Sequence, residues 1–200
     1  MTVLDLETQR KTVQERLDAA KTAAERNRVG QFATPEGLAG HGAKYAGYHW
    51  RNRADPPSFL EPSVGSGSFY SAFCRALPPQ SIADASGVEV DPLFAVAAKG
   101  LWEASGLRVI PGDFTRMTPD RRYNLVLANP PYVRHHHLDR ADKERLRTLV
   151  ADRLDLDISG LAGLYAHFLL LCDAWMAPGG LAAWLIPSEF MDVNYGAAVR

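Results

Sequence analysis

The stretch LVLANPPYVR, residues 125–134, contains the side chains with the clearest capacity for chemistry. An apolar run typical of a buried strand ends at Asn129, which is followed by Pro130, Pro131 and Tyr132. Asn129 and Pro130 each precede a proline, so both are restricted to extended backbone conformations. The loop is therefore expected to be stiff, with carbonyl groups that point outward instead of closing a turn.

Such a loop suits an amine that is a poor nucleophile because its lone pair is delocalised into an aromatic ring. Asn129 Oδ1 and the Pro130 carbonyl can together accept both protons of one planar NH2 group. Two acceptors favour the pyramidal, charge-bearing nitrogen of a transition state over the flat ground state, which is preorganised electrostatic catalysis. Tyr132 offers a stacking face for the ring. A plain Pro-Pro loop with a surface tyrosine is the alternative, but the position directly after a strand disfavours it.

The elements that must position this loop begin near residue 59, where short apolar runs alternate with helical patterns. The expected strands are FLE (59–61), GVEV (87–90), RVI (108–110), YNLVLA (123–128) and LAAWLIP (181–187), and the expected helices lie near 67–77, 92–104 and 161–177. This alternation is typical of βαβ units, and near-continuous apolar strands are typical of a parallel sheet covered on both faces. We predict an α/β fold with a doubly wound, mostly parallel Rossmann-like sheet, preceded by an N-terminal helix over residues 3–28.

Sheets of this kind bind ligands beyond the carboxyl ends of their strands. At the first strand exit, in LEPSVGSGSF, Gly65 and Gly67 allow the backbone to approach a ligand and turn tightly into a helix. The third glycine of a dinucleotide fingerprint is missing, because Phe69 and Tyr70 stand there. A simple glycine turn remains the alternative for this segment by itself.

The segments at the ends of the next two strands each contribute a carboxylate. Glu89, in VEVDP, can accept hydrogen bonds from both hydroxyls of a ribose, while Asp91 before Pro92 fits the common role of a helix cap. Asp113 and Phe114, in GDF, offer a carboxylate for an exocyclic amine and an aromatic face for a purine, although Gly-Asp is also common in turns. Together the three exits describe an adenosine with free ribose hydroxyls and no pyrophosphate. S-adenosylmethionine is the commonest cofactor of that description.

Composition narrows the class of protein. The 200 residues suit one domain, and the formal net charge of −1 gives no general attraction for a polyanion. Cys74 and Cys172 lie in helix-like segments without disulfide or zinc spacing, so a reducing cytoplasm is expected. The longest apolar run, residues 161–177, contains His167 and Asp173 and is too short to span a bilayer. No membrane association is expected.

In the order of its motifs as well as their content, the chain resembles the catalytic domain of the gamma-class adenine-N6 DNA methyltransferases of restriction–modification systems. The resemblance covers roughly residues 29–200 and leaves residues 1–28 as a helical extension. It rests on GQFATP (30–35), EPSVGSGSF (61–69), VEVDP (88–92), GDF (112–114), NPPY (129–132), GLYAHF (163–168) and LAAWLIPSEF (181–190).

The resemblance implies a role for each matching residue. Thr34 and the glycine loop would hold the methionine end of S-adenosylmethionine, Glu89 the ribose, and Asp113 with Phe114 the adenine. Asn129, Pro130, Pro131 and Tyr132 would form the catalytic segment around a target adenine flipped out of duplex DNA. The implied cofactor-binding set is Gln31, Thr34, Glu61, Pro62, Gly65, Gly67, Phe69, Glu89, Val90, Asp113, Phe114, Asn129 and Phe168. No metal is implied.

The family continues with a second aromatic that sandwiches the base and with a target-recognition domain, and we expect both to be missing here. These 200 residues are therefore expected to bind cofactor but to methylate DNA poorly. Double-stranded DNA is the expected partner, with a restriction endonuclease subunit or fused domain as a further one.

The basic stretch Arg134–Arg147, which includes three consecutive histidines, is interpreted as a DNA-phosphate contact or a solvated helix start. A metal site is disfavoured there, because three consecutive side chains on a regular helix or strand cannot all face one ion.

Two other functions remain open from the sequence. The Asn-Pro-Pro-Tyr segment also occurs in methyltransferases that act on RNA or on a protein glutamine, although GQFATP and EPSVGSGSF favour DNA. A non-catalytic cofactor-binding or DNA-binding fragment is the second alternative. Methyl transfer to DNA, RNA and protein would discriminate among the three.

Overall fold

The computed structural model of the chain describes residues 2–77, 81–192 and 196. The helices are α1 (Val3–Ala19), α2 (Ala23–Val29), α3 (Glu36–Trp50), α4 (Ser68–Ala76), α5 (Pro92–Trp102), α6 (Arg140–Leu154) and α7 (Leu164–Cys172). The strands are β1 (Ser58–Glu61), β2 (Asp84–Glu89), β3 (Leu107–Pro111), β4 (Tyr123–Ala128) and β5 (Met176–Trp184). In the described part of the chain, no helix has an apolar stretch long enough to cross a membrane.

The five strands form one sheet in the order β3-β2-β1-β4-β5, and every described pairing is parallel. The order runs outward in one direction from β1 and in the other from β4, so the chain reverses its winding between these two strands. The carboxyl ends of strands beside such a reversal form the crevice in which doubly wound folds bind ligands. The predicted fold class is confirmed.

Two apolar cores lie on opposite faces of the sheet. One contains side chains of α1, α3, α4 and α5, with Phe59, Phe73 and Trp102 among its fully buried members. The other contains α6, α7 and the aromatic residues Phe114 and Trp175. Helices on both faces leave the sheet without a solvated side, which explains the near-continuous apolar strands.

Two predicted helices have different bounds in the structure. The helix predicted over residues 3–28 is two helices, because Thr22 and Glu25 form a capping box that starts α2. The helix predicted over residues 161–177 is shorter, since α7 ends at Cys172 and β5 already pairs with β4 from Met176. The last apolar residues of the predicted helix, from Met176, therefore belong to the sheet. The sequence also suggests a helix around Arg200, which lies outside the described residues.

The N-terminal helix carries a buried ion pair whose arginine also contacts the sheet domain. Arg10 donates to both carboxylate oxygens of Glu7 at 2.7 Å, and each side chain is only 5% exposed. Arg10 also donates to the hydroxyls of Ser66 and Ser68, at 3.0 and 2.9 Å. Leu6 lies in the same core as α3 and α4. Helix α1 therefore packs directly on the glycine-containing loop after β1.

Candidate active site

The loops after β1 and β4 meet at the point where the sheet reverses. The hydroxyl of Ser63, in the loop after β1, donates to the Asn129 carbonyl at 2.9 Å. The N–H of Val64 donates to the Val88 carbonyl at 2.9 Å, which ties the same loop to β2. The glycine-containing loop and the Asn-Pro-Pro-Tyr loop are thus adjacent, as the strand order requires.

The segment GQFATP, far away in sequence, packs against the Asn-Pro-Pro-Tyr loop. Gly30 has a φ of +65°, and a Cβ at this position would lie 2.6 Å from the Tyr132 nitrogen. Only glycine permits this backbone conformation together with so close an approach. Four residues later, Thr34 Oγ1 accepts a hydrogen bond from Asn129 Nδ2 at 3.1 Å. Three separate motifs therefore converge on Asn129.

Among the described residues, only one of the two polar atoms in the Asn129 side-chain amide has a hydrogen-bond partner. Its Nδ2 is held by Thr34, whereas its Oδ1 is buried and has no hydrogen-bond partner among the described residues. An unsatisfied buried acceptor costs about 1–3 kcal/mol, so such an atom in a native fold needs an explanation. An acceptor fixed in orientation and left without a donor is suited to receive an N–H from a ligand.

Glu89, at the end of β2, is a buried carboxylate held by backbone groups. Its Oε2 accepts from the Gly65 N–H and its Oε1 from the Asp91 N–H, both at 2.8 Å. Burial raises the pKa of Glu89, although these two hydrogen bonds oppose that shift. Two oxygens offer about four lone-pair sites, and the backbone uses two of them. The remaining two could accept a pair of hydroxyl groups.

The segment after α1 reaches the same edge of the sheet. The Lys21 ammonium donates to the Asp91 carboxylate and, at 2.8 Å, to Gln31 Oε1. Asp91 also caps α5 by accepting from the Leu93 N–H at 2.9 Å, as predicted. Burial would raise the pKa of Asp91, but the hydrogen bonds from Lys21 and the helix outweigh it and the pKa is lowered. Gln31 is thereby fixed beside the end of β2.

The GDF segment follows β3 and forms a capped turn. Asp113 Oδ1 accepts from the backbone N–H and the hydroxyl of Thr115, at 2.9 and 2.8 Å. Arg116 lies 3.2 Å from the other carboxylate oxygen. The Phe114 ring is buried against Phe168 and Trp175, with ring centroids 5.2 Å apart in both cases. The predicted aromatic surface for a purine is therefore engaged in the core in this structure.

The remaining members of the predicted cofactor set fall into two groups. Buried positions are occupied by Glu61, Pro62, Phe69 and Phe168, whereas Val90 is exposed at the end of β2. Glu61 accepts from the Tyr70 N–H at 3.2 Å and so fixes the start of α4. Burial raises the pKa of Glu61 well above its usual value, although hydrogen bonds from the backbone of Tyr70 and Phe69 oppose that shift. Gly65 and Gly67 both have positive φ, as expected for the tight turn into α4.

Two cavities border Asn129 and Tyr132. A narrow cleft of about 40 Å³ is lined by Gln14 of α1, residues 31–34, residues 63–66 and Asn129. Ordinary ligand pockets begin near roughly 300 Å³, so this cleft is much smaller than an ordinary ligand pocket. A wide cavity of about 1040 Å³ lies on the Tyr132 side and is also lined by Tyr165 and Pro187. Phe32 lines both cavities.

Tyr132 is held firmly at the edge of the wide cavity. Its hydroxyl donates to the Leu185 carbonyl at 2.9 Å, at the end of β5. The ring is half-buried, and burial raises the pKa of Tyr132 to about 12. The phenol is thus neutral at pH 7 and its hydroxyl is fixed, and the residue lines the wide cavity.

The three consecutive histidines form a single 3₁₀ turn after the Asn-Pro-Pro-Tyr loop. Arg134, His135 and His137 line the wide cavity, and slight burial together with the neighbouring cations lowers the pKa of His136. Within residues 2–77, 81–192 and 196, no group of His, Cys, Asp and Glu could hold a metal ion. The histidines therefore contribute polar and basic groups to the cavity rim.

Several residues of the site were not singled out in the sequence. Ser63 and Phe32 lie inside motifs that the sequence does reveal, so their neighbours were the available signal. Gln14, Lys21 and Arg10 precede every recognised motif, and no local pattern connects them with β1 or β2. Only packing of α1 onto the domain brings them to the site.

A parallel sheet with an acidic strand end, a glycine turn and a rigid Asn-Pro-Pro-Tyr loop at its reversal point defines the class of Rossmann-like methyltransferases. Two solved structures share this fold. The type IIG restriction endonuclease BpuSI matches with a TM-score of 0.66 and 18% identity, over 80% of this chain and 20% of that chain. A Listeria monocytogenes protein assigned as a class I S-adenosylmethionine-dependent methyltransferase matches with a TM-score of 0.70 and 17% identity, over 95% of this chain and 58% of that chain.

Sequence comparison then identifies the family. The Eco57I restriction-modification methylase model matches residues 100–200, and the chain belongs to that family. Type II methyltransferase M.XamI of Xanthomonas campestris pv. amaranthicola is 32% identical over 154 residues, which are 74% of this chain and 28% of that protein. The chain thus spans about a quarter to a third of the length of such relatives. The predicted resemblance to methyltransferases of restriction–modification systems is confirmed.

Proposed function

We propose that this chain is the catalytic core of an S-adenosylmethionine-dependent DNA methyltransferase that modifies the N6 amine of adenine. The observation that carries the proposal is Asn129 Oδ1, a buried acceptor without a described partner on a residue that lines the narrow cleft. A ligand that donates an N–H at this point would satisfy it. The exocyclic amine of a base presented from the wide cavity is such a donor.

The residues beside Asn129 fit the proposed cofactor. The two unused lone-pair sites of Glu89 suit the ribose hydroxyls, and the exposed Val90 side chain beside them suits a purine face. Gly65 has open space where a Cβ would be, so the backbone there can approach a ligand. Asp113, about a third exposed, has one oxygen that pairs, among the described residues, with exposed Arg116 and could exchange that partner for an exocyclic amine. When bound, the cofactor supplies an electrophilic methyl group on a sulfonium.

The chemistry then requires the protein to hold and polarise the amine. Asn129 Oδ1 and the Pro130 carbonyl accept its two protons, which favours the pyramidal nitrogen whose lone pair can attack the methyl carbon. The cofactor would supply the methyl group and keep the electron pair of the sulfur–methyl bond, and the amine held by Asn129 and the Pro130 carbonyl would supply the pair for the new nitrogen–carbon bond. The amine, now positively charged, releases one proton to solvent. No strong base is needed before attack, and the neutral Tyr132 serves only as a stacking surface.

Duplex DNA is the substrate that best suits the wide cavity. A flipped base is a planar ring with an exocyclic amine, and a cavity of about 1040 Å³ has room for a nucleotide. Arg134, His135 and His137 at the rim suit contacts with phosphate. A restriction endonuclease is the proposed fused or separate partner.

The decisive experiment uses the full-length protein and two variants of Asn129. Labelled methyl groups are offered with duplex DNA, RNA and a glutamine-containing protein, and the modified nucleoside is identified by mass spectrometry. We expect N6-methyladenine in DNA, and a fall in turnover of about 100- to 1000-fold for Asn129→Ala, as for loss of an oxyanion-type contact.

Asn129→Asp, which keeps an acceptor oxygen, is the matched variant and should retain more activity than Asn129→Ala. Cofactor affinity should change little in either, since Oδ1 serves the target amine. Label found in RNA or protein but not in DNA, or full turnover by Asn129→Ala, would contradict the proposal.

A further inference from the structure

The turn after β3, which carries Asp113, is held by an arginine from a helix that is distant in sequence. Arg145 of α6 donates from Nη1 to the Thr115 carbonyl and from Nη2 to the Thr115 hydroxyl oxygen, both at 3.1 Å. That hydroxyl in turn donates to Asp113 Oδ1 at 2.8 Å. A single oxygen atom of Thr115 therefore connects the guanidinium of Arg145 with the carboxylate of Asp113.

A second path of ion pairs joins the same two side chains. Arg145 Nε donates to Asp142 Oδ1 at 3.1 Å, and Arg116 Nη2 donates to the same oxygen at 2.7 Å. Arg116 Nε lies 3.2 Å from Asp113 Oδ2, which closes a ring of contacts between α6 and the turn. When a ligand takes the place of Arg116 at Asp113 Oδ2, Arg116 stays paired with Asp142.

The turn depends on this support from α6. It comprises three residues, Phe114–Arg116, and it follows β3, which stands at one end of the strand order. Thr115 is 2% exposed, so its carbonyl and hydroxyl need partners from the protein. A planar guanidinium that binds both of these oxygens fixes the orientation of Thr115, because its donors have a rigid mutual geometry. The direction of the Asp113 carboxylate is fixed along with it.

We propose that Arg145 is a positioning residue for the adenine of the cofactor, and that it acts through Thr115 to aim Asp113 Oδ2 at the exocyclic amine. This inference rests on the proposed function, because it needs the adenine of the cofactor to bind at Asp113. An ionised carboxylate accepts hydrogen bonds and donates none, so it favours an amine over a carbonyl oxygen at that position of the purine. Arg145 thereby contributes to the preference for adenine without touching it.

The test compares two ligands that differ at this position of the purine. The full-length protein and Arg145→Ala are titrated by calorimetry with S-adenosylhomocysteine, which carries the amine, and with S-inosylhomocysteine, which carries a carbonyl there. A hydrogen bond to a charged group corresponds to about a 10- to 150-fold change in affinity, and we expect the parent to prefer the adenosyl ligand by that factor. Arg145→Ala should lower the ratio of the two affinities by about tenfold.

A matched control lies on the same helix. Arg147 Nε donates to the Ile158 carbonyl and Arg147 Nη2 to the Asp157 carboxylate, both at 3.1 Å, so this arginine also holds one backbone and one side-chain oxygen. Neither partner belongs to the turn after β3. Arg147→Ala should therefore keep the parental ratio of affinities, even if it lowers the melting temperature.

Two further variants make the result specific. Arg145→Lys keeps the positive charge without the paired donors of a guanidinium, so it should also lower the ratio. It gives the deciding titration if Arg145→Ala fails to fold, as judged by its melting curve. Thr115→Val removes the connecting hydroxyl and should lower the ratio too. Because both residues act along one path, the loss in Arg145→Ala/Thr115→Val should be smaller than the product of the two single losses.

The outcomes separate this inference from the proposed function. If the parent prefers the adenosyl ligand and a folded Arg145 variant keeps the parental ratio, the positioning role is wrong while the proposed function stands. An equal loss of affinity for both ligands has the same meaning, because it assigns Arg145 to the stability of the fold. Single losses that multiply in the double variant would overturn the path through Thr115. If the parent binds neither ligand, the proposed cofactor and this inference are both wrong.

Discussion

Replacement of Arg10 with alanine should destabilise this protein by about 3–5 kcal/mol, because it leaves the buried Glu7 carboxylate without its partner. Arg10 donates four hydrogen bonds, two to Glu7 and one each to the hydroxyls of Ser66 and Ser68. Both charged side chains are 5% exposed, so water cannot replace the lost partner. The damage should extend to the glycine-containing loop, since Ser66 and Ser68 lie on either side of Gly67.

The pH dependence of stability should report the same ion pair. Burial would raise the pKa of Glu7, but hydrogen bonds from Arg10 and Ser71 outweigh it and the pKa lies below its ordinary value of 4.5. A carboxyl group with a lowered pKa in the folded state contributes stability that is present above its unfolded pKa. The contribution of Glu7 should therefore be lost as the pH falls below about 4.5 and through the lowered folded pKa. In Arg10→Ala this loss should be smaller.

Calorimetric melting of the 200-residue chain measures both effects. For a domain of this size, 3–5 kcal/mol corresponds to a decrease in Tm of about 6–20 °C. Lys11→Ala is the matched control, because the neighbouring Lys11 pairs with Glu36 on the surface, where both side chains are more than 40% exposed. An exposed ion pair contributes at most about 1 kcal/mol, so this variant should melt close to the parent.

A change in Tm of less than about 2 °C for Arg10→Ala would refute the reasoning, since it would correspond to only about 1 kcal/mol. The double variant Glu7→Leu/Arg10→Met provides the cross-check. It removes both charges and keeps apolar volume, so it should be more stable than Arg10→Ala alone. A double variant that is less stable than Arg10→Ala would show that the lost partner of Glu7 is not the source of the effect.

The remaining predictions concern Glu89 at the end of β2 and Gly30 beside Tyr132. Glu89→Ala should weaken binding of S-adenosylmethionine by about 10- to 150-fold, the equivalent of one or more charge-assisted hydrogen bonds. Calorimetry on the folded variant measures this affinity, and an unchanged value would show that Glu89 does not bind the ribose. Gly30→Ala should cost about 1–3 kcal/mol, because φ is +65° and the new Cβ would lie 2.6 Å from the Tyr132 nitrogen. Gly40→Ala on α3, with open space around its Cβ, should be neutral or stabilising in the same melting experiment, and equal losses for both variants would contradict the steric argument.

Much of the fold could be predicted because each strand carries its own signal. The run YNLVLA is apolar apart from Asn124, since β4 lies inside the sheet between β1 and β5 and is covered on both faces. The loop that follows it was also readable, because a proline restricts its own backbone and that of the preceding residue without help from the rest of the fold. Fold class and the position of the Asn-Pro-Pro-Tyr loop are therefore local properties of the sequence.

The ends of helices were harder to predict where a helix and a strand could both include the same residues. After Gly163 the apolar run has no glycine or proline before Pro178, so the pattern favours a long helix. In the folded chain the end of this run pairs with β4, and the strand starts at Met176. The position of the neighbouring strand decides that boundary, and the neighbour is distant in sequence.

The sequence by itself determined which residue types stand at the strand exits, and hence the kind of ligand that the sheet edge can hold. Only the tertiary structure decided how their atoms are used. It committed the Phe114 ring to the core, left Asn129 Oδ1 without a described partner, and placed Phe32 opposite Tyr132. These outcomes depend on contacts across about 60 to 100 residues of chain, such as Thr34 with Asn129 and Arg10 with Ser66. Local patterns carry no information about such contacts, because the energy of each one depends on where the other partner is placed by the fold.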